Sequence, residues 1–518
     1  MKDLLHTALV LALLFQHARL SAQTWMQDPS FGVDGYVFVD GYTGADELMD
    51  LKIQADDGVL LLGWTAIVQA ATNLTILVRL DADGAVDESF GDEGIFSVFL
   101  PGRSLIGRSM QLLADGGIMI AGGITEQPIQ RDGALLRLLP NGLLDPTFGT
   151  GGILQVDLGA NEVFMSLIVG ADGSLTVGGR QGGDVLLMRF DADGLPDPSF
   201  GVAGVLEFAA GSGSPTDAVR LAPRPSGGFF AMARISGGFV LGAWDDTGVP
   251  DPAFGGGGAV FIPVVGSSNA LAVQPSGEVL VAGGGDNLVG DVCLGARVDR
   301  LLPNGSPDPD FGDQGVVVDG ATDVCDILFD LLVQPDGSIL VTGTFTNNID
   351  IGSDFAVIRY LPDGSRDASF GDDGLIQVDM GCEAIDVSFA LGLQSNGDII
   401  VGGVSNCGPF PNDLAVVRLY PAISTASNTL VPSIADAMVH PNPAQHQVTL
   451  SYSLRNNGLV ELELYDIHGR RMSLQQARSM RNAGAHSAVL PVDGLSPGLY
   501  TMVLVAGQER SALRFVKE

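Results

Sequence analysis

The side chains that most often carry enzymatic chemistry are placed where they could do little of it. All six histidines lie towards the ends of the chain, His6 and His17 near the N-terminus and His440, His446, His468 and His486 near the C-terminus. The long central region therefore has no imidazole for a Ser/His/Asp triad, a His-ligated zinc or iron, or a histidine general base. Lysine occurs only at positions 2, 52 and 517, which leaves Lys52 as the one central ammonium for nucleophilic or Schiff-base work. Carboxylates are plentiful, with 61 Asp and Glu against 26 Lys and Arg. Paired acids could serve glycoside hydrolysis, but such abundance singles out no pair. The turns Asp81-Ala-Asp-Gly84-Ala-Val-Asp87 and Asp191-Ala-Asp-Gly194-Leu-Pro-Asp197 approach an oxygen spacing suited to Ca²⁺ without the Glu at position twelve of an EF-hand. Ordinary hairpin turns use the same residues, so no catalytic residue, cofactor or metal ligand is assigned, and Ca²⁺ stays open as the alternative.

The elements that hold these residues are set by a repeat. The pattern Asp, two residues, Phe, Gly, two residues, Gly recurs at Phe31, Phe90, Phe148, Phe200, Phe254, Phe311 and Phe370, at intervals of 59, 58, 52, 54, 57 and 59 residues. Such a steady period denotes an array of one supersecondary unit. In the unit that begins at Phe311, short apolar runs cover Val316 to Val318, Ile327 to Val333, Ile339 to Thr342 and Phe355 to Leu361, each bounded by Gly, Pro, Asp or Asn. Four such runs predict a four-stranded sheet per unit. Between the second and third runs stands Asp-Gly, Asn-Gly or Ser-Gly, at residues 57, 115, 172, 226, 276, 336 and 396, which predicts type I′ hairpins. The expected architecture is all-β, a seven-bladed β-propeller over 25–420 followed by a small Ig-like β-sandwich. The last unit ends at Tyr420 without the Asp-x-x-Phe-Gly element, and the missing copy stands at Asp28-Pro-Ser-Phe-Gly32, as ring closure would require.

Other positions repeat with the phenylalanines. Asp precedes each by three residues, and Arg79, Arg137, Arg189, Arg300 and Arg359 precede theirs by eleven, with Arg418 matching in the seventh unit. Blade four has Ala243 there, followed by Trp244. A set present in nearly every unit predicts an Arg–carboxylate bridge from blade to turn; recognition is sought instead where the symmetry breaks. The candidates are Trp64, Trp244 and the loops 121–131, 284–294, 344–353 and 404–412, which should gather on one face.

At the N-terminus, Lys2, the apolar run Leu4 to Phe15 and the small residues before Gln23 predict a signal peptide over 1–22. No later run reaches the roughly 18 apolar residues of a membrane-spanning helix. The formal net charge of −35 argues against nucleic acid as a partner. Four cysteines in an exported chain, Cys293, Cys325, Cys382 and Cys407, suggest disulfides. Their places in the repeat favour Cys382 with Cys407 and Cys293 with Cys325, free thiols or a metal site being the alternatives.

Two resemblances follow from quoted residues. The stretch Asp336-Gly-Ser-Ile-Leu-Val-Thr-Gly343, with Asp354-Phe-Ala-Val-Ile-Arg-Tyr-Leu-Pro-Asp-Gly-Ser-Arg-Asp-Ala-Ser-Phe-Gly371, resembles the delta-60 repeat family of bacterial secreted and surface proteins. That likeness implies a propeller with no catalytic residues to carry over. After a polar linker over 421–435, residues 436–518 resemble a type A C-terminal sorting domain of the type IX secretion system. The residues that carry this likeness are Pro441, Asn442, Pro443, Gly469, Pro497, Gly498, Tyr500 and Lys517. It implies that the secretion machinery and a sortase-like peptidase are partners, and that the product is released outside the cell or held on its surface. The expected function is a non-enzymatic binding or adhesion module with an unknown surface or extracellular ligand; a carboxylate-based polysaccharide enzyme and a purely structural surface protein are the alternatives.

Overall fold

The computed structural model describes residues 23–518 apart from 42–43, 68–71, 127–129, 209–218, 236, 264–266, 285–294, 320–325, 349–351, 381–385, 408–411, 424–433, 455–457, 467–469, 473–477 and 507–508. The predicted signal peptide lies outside the described residues. Every regular element among them is a strand.

The described residues between 23 and 423 form seven antiparallel sheets. Blade 1 takes Asp46–Ile53, Val59–Ile67, Thr72–Leu80 and Ile95–Val98 in that order, and blade 6 takes Ile327–Val333, Ile339–Asn348, Gly352–Tyr360 and Leu375–Val378. The first strands pack against one another in sequence, and Asp386–Leu393 of blade 7 packs against Asp46–Ile53, so the circle closes. The middle strands read as unbroken apolar runs because neighbouring blades cover both faces. Val279–Gly284 is buried along its whole length, whereas the outer strand Val316–Asp319 is partly accessible.

A sequence unit and a blade are offset by one strand. Val316–Asp319 follows Phe311 but pairs back onto Ala296–Leu301, which precedes it. The four runs between successive phenylalanines therefore belong to two sheets, because the Asp-x-x-Phe-Gly turn is too tight to send its next strand anywhere but back. The same rule leaves blade 7 in need of an outer strand, and Tyr36–Val39 supplies it by pairing with Leu414–Val417 of the long strand Asp413–Ile423. Gln23–Gln27 pairs with the remainder of that strand.

The hairpins also differ from expectation. Gly116 accepts a positive φ of 82° while Asp115 does not, and the hydrogen bonds run from Gly116 N to Leu113 O and from Leu113 N to Gly117 O. That is a type I turn followed by one left-handed residue rather than a type I′ turn, which needs two. In blade 1 the left-handed place falls on Asp57, with φ 65°.

The tail, residues 434–518, is a pair of sheets. One contains Ile434–His440, Gln447–Leu454 and Gly484–Pro491; the other is built on Gly458–Tyr465, Gly498–Ala506 and Glu509–Lys517. Val448, Leu450, Leu464, Met502, Leu504 and Phe515 fill the space between them.

Candidate functional site

The repeated motif is structural at every junction the structure describes. Arg79 bridges Asp87 at 2.7 Å, Arg300 bridges Asp308 at 2.7 Å, Arg137 bridges Asp145 at 3.2 Å and Arg189 bridges Asp197 at 3.4 Å. Arg359 pairs with Asp367 in the same way. The guanidinium lies over the motif's own phenylalanine, 4.6 Å from the ring centre for Arg79 over Phe90 and for Arg300 over Phe311. It also reaches the next blade, where Arg79 Nη1 donates to Pro140 O at 2.8 Å. The far side of six of the seven rings is closed by a turn glycine of the following blade, and Phe370 instead meets Trp25 of the closing strand, with ring centres 5.3 Å apart. A Cβ on Gly142 would come within 2.8 Å of Phe90, and one on Gly364 within 2.9 Å of Phe311. Blade four solves the same problem differently: Arg224, from the first hairpin turn, bridges Asp251 at 2.6 Å. Ala243 and Trp244 are core residues there.

Symmetry does break at the ring axis. The first strands are innermost, and in six of the blades they carry a register shift that makes Met49, Arg108, Met165, Asn269, Phe329 and Phe389 extra residues. Opposite five of these bulges the second strand comes so close that only glycine fits; a Cβ at Gly343 would lie 1.9 Å from Ile327 O. Beside the bulges stand Asp50, Lys52, Arg220 and Asp330, drawn from blades 1, 4 and 6.

Asp50 accepts from Lys52 Nζ at 2.6 Å and from Met110 N of blade 2 at 2.7 Å. Asp330 accepts from Leu391 N of blade 7 at 2.9 Å and from its neighbour Leu331 N at 2.9 Å. Arg220 Nε donates to Asn269 O of blade 5 at 2.8 Å. Burial pushes the Asp330 carboxyl up to about 6 against the pull of Leu391 N–H and Lys52. Burial would lower the Lys52 ammonium, but Asp50 outweighs it and holds the pKa above the usual value. The axis is therefore a nearly balanced set of charges whose acids are held by backbone amides. An acid inside an apolar strand, as in Ile-Leu-Phe-Asp330-Leu-Leu-Val, was the available signal for it.

Next to the axis, at the boundary of blades 1 and 7, Trp64 lines a cavity of about 260 Å³ with Asp46, Glu47, Val387, Phe389 and Asn412. Trp64 is half-buried. Phe389 also meets Phe329 edge-on, with ring centres 4.9 Å apart. The Glu47 carboxyl is pushed up by burial, against the pull of Arg108 on the axis and of a hydrogen bond from Trp64. A larger, more open groove of about 470 Å³ runs beside the closing strand, between Trp25 and Leu375.

Other expectations fare unevenly. Trp244 is only 4% exposed, stacked on Phe229 at 5.5 Å and edge-on to Phe208 at 4.8 Å, so it is core and not displayed for recognition. Of the loop 121–131, residues up to Glu126 and from Gln130 are strand. Likewise 344–348 and 352–353 extend a hairpin. Most of 284–294 and 408–411 within 404–412 lie outside the described residues. The Asp81 turn closes on itself, Asp81 Oδ1 accepting from Asp83 N at 3.0 Å and Ala85 N at 2.9 Å; Asp191 does the same with Asp193 N and Leu195 N, at 3.0 and 2.8 Å. Cys407 is disulfide-bonded, while Cys293, Cys325 and Cys382 lie outside the described residues.

In the tail, Asn442, between Pro441 and Pro443, ties the first loop to the last strand, accepting from Val516 N at 2.9 Å and donating to Arg514 O at 3.2 Å. Tyr500, two residues after Gly498, donates to Ser496 O at 2.9 Å, next to Pro497, and stacks on Phe515 at 5.8 Å. Lys517 is largely buried, and Gly469 is outside the described residues.

Comparison with known proteins agrees with this anatomy. Residues 54–90, 113–148, 170–200 and 334–370 match the family described as a domain of unknown function (DUF5122) beta-propeller. Residues 438–518 match the secretion system C-terminal sorting domain. No curated protein matches the chain. Among solved structures, a catalytically inactive virginiamycin B lyase from Staphylococcus aureus is similar at 8% identity and TM-score 0.44, over 74% of this chain and 98% of the lyase. A protein of unknown function from Dyadobacter fermentans is similar at 11% identity and TM-score 0.41, over 77% and 99%. PorZ, a surface component of the type IX secretion system of Porphyromonas gingivalis, is similar at 12% identity and TM-score 0.26, over 91% and 81%.

The chain is thus a repeat-built β-propeller that carries its own C-terminal export address. More particularly, it combines DUF5122 propeller repeats with a type IX sorting domain, which directs it to the outer surface or the extracellular space. Among the described residues no helix is long and apolar enough to cross a membrane.

Proposed function

We propose that the propeller is a non-enzymatic binding module, delivered by its sorting domain, which a sortase-like peptidase then removes. The observation that carries this reading is the cavity at Trp64. It combines an aromatic platform (Trp64, Phe389), an acid (Glu47) and an amide (Asn412) in a place that the repeat does not reproduce. Concave, largely apolar sites with a few convergent polar groups are where ligands bind. The axial acids Asp50 and Asp330 are each held by amide donors, which favours binding over acid–base chemistry. The test is capture of the mature chain on a glycan array and on intact cells, for wild type, Trp64→Ala and Phe389→Ala. Loss of an aromatic anchor should weaken capture by about tenfold or more with the melting temperature nearly unchanged. Equal capture by Trp64→Ala, or no capture by the wild type on either surface, would sink the proposal.

A further inference from the structure

We infer that the junction between blades 2 and 3 is a Ca²⁺ site formed by Asp132, Asp157 and Glu162. One carboxylate oxygen from each lies within 4.8 Å of the others. Oxygens on opposite sides of a calcium ion, each about 2.3–2.6 Å away, are separated by about that much. Asp132 comes from the third strand of blade 2, Asp157 follows the blade's outer strand Ile153–Val156, and Glu162 opens the first strand of blade 3.

Three like charges converging at a buried place are unfavourable unless something positive joins them. Glu162 is fully buried and Asp132 is 2% exposed. Glu162 Oε1 accepts from Ala160 N at 3.0 Å, but Oε2 is buried with no hydrogen-bond partner. A buried carboxylate oxygen that no donor satisfies is an expensive arrangement for a protein to keep. Asp132 is steered by the side-chain amides of Gln130 and Gln155, and Gln155 is in turn held through its oxygen by Arg103 at 3.3 Å. These bonds leave lone pairs on Asp132 for a cation. Asp157 is exposed and spends one oxygen on Gly159 N at 2.8 Å, leaving an entry for the ion and its remaining water ligands.

The repeat supplies its own comparison. The same three places of the repeat hold Asp413, Asp40 and Asp46 at the junction of blades 7 and 1, and Asp354, Asp379 and Asp386 at that of blades 6 and 7, each again a close trio. Between blades 1 and 2 the equivalent places hold Leu74, Phe99 and Leu105, with both leucines buried. Between blades 5 and 6 the places hold Gly295, Gly320 and Asp326, so an acid at this register occurs singly as well as in threes. Where three acids do meet, at three of the junctions, an ion that neutralises them accounts for their closeness.

The test is Ca²⁺ binding by the mature chain in 150 mM KCl, which screens the diffuse attraction of its acidic surface. Wild type should bind a small whole number of ions with dissociation constants of about 1 mM or below, as extracellular calcium modules do, and should melt higher in Ca²⁺ than in chelator. Glu162→Gln and Asp157→Asn should each bind one ion fewer. Asp157 is at the surface and its asparagine keeps the bond to Gly159, so this variant folds whatever becomes of Glu162→Gln. Full wild-type stoichiometry in Asp157→Asn, no saturable binding by wild type, or displacement of Ca²⁺ by equimolar Mg²⁺ would each overturn the assignment.

Discussion

Arg418 and Asp28 stand 390 positions apart in the chain and share a buried ion pair, with Nη2 2.7 Å from Oδ2. The backbone repeats the connection, Asp28 N donating to Arg418 O at 2.7 Å. Arg418 lies over the Phe31 ring at 5.0 Å and donates onward to Ala82 O of blade 1 at 2.8 Å. One side chain thereby joins the last blade, the N-terminal segment and the first blade. The motif that elsewhere links neighbouring units here links the two ends of the propeller.

Removing residues 23–39 should therefore destabilise the propeller far more than removing residues 434–518, because only the first opens a sheet edge and strips the Arg418 pair. Arg418→Ala alone should cost roughly 3 kcal/mol, the loss expected when one partner of a buried pair is left without the other. Urea unfolding of the mature chain and the two truncations checks both statements; equal midpoints for the truncations would refute the closure argument.

Gly142→Ala should be much more harmful than Gly151→Ala. Both positions have left-handed φ, 82° and 62°, so each alanine pays backbone strain of about 1 kcal/mol. At Gly142 the added methyl also meets Phe90 at 2.8 Å, while at Gly151 nothing lies within 4 Å. The two variants, compared in urea, should differ by roughly 1–3 kcal/mol. Equal losses would mean that the contact with Phe90 yields at no cost.

Much of this was legible in the chain. The period, the all-β class, the closing N-terminal copy and the Arg–Asp bridge follow from residues that recur, because each serves the same contact at every junction. The offset between unit and blade was hidden, since a run of Val316 to Val318 looks alike whether it pairs forward or back. Trp244 looked like a symmetry-breaking display residue, but only the packing against Phe208 and Phe229 reveals its burial. The axial charges were obscured for another reason: Asp50, Arg220 and Asp330 hold the same place in their units, each nine residues before the start of the second strand, but the other blades put Ser109, Ser166, Ala270 and Ala390 there, so the charge itself does not recur.

Blade four offers a test of substitution by a different route. Arg224→Ala should cost about 1–3 kcal/mol, since the charged hydrogen bond to Asp251 is made from a hairpin turn rather than from the third strand but to the same carboxyl. Adding Ala243→Arg should not rescue it. Ala243 is fully buried in the core of its blade, and the larger side chain would be forced into Phe230 and Leu241. Recovery in the double variant would show that blade four can still use the arrangement of its neighbours.

Stability should pass through a maximum between about pH 4 and 6, for two opposed reasons. Burial raises the pKa of Asp46, whose like-charged neighbours Asp40 and Asp413 push the same way, to about 6, and burial raises Asp330 to about 6. Groups raised in the folded state take up protons there before the unfolded chain does, so stability increases as pH falls from above 6 to the ordinary value of 3.8. The junction acids act in reverse. At Asp145 the Thr147 hydroxyl and amide and the Arg137 charge lower the pKa. At Asp28 burial pushes up, but Ser30 and Arg418 together outweigh it. Their contribution is fully present above the ordinary value and is lost as pH falls through the folded one. Urea midpoints in chelator should therefore be higher at pH 5 than at pH 7.5, by about 1–3 kcal/mol in stability, and should fall again by pH 3. Asp330→Asn should shrink the difference between pH 5 and 7.5 while leaving the acid limb in place. A midpoint that rises steadily from pH 5 to 7.5 would contradict the burial of these acids in charged form.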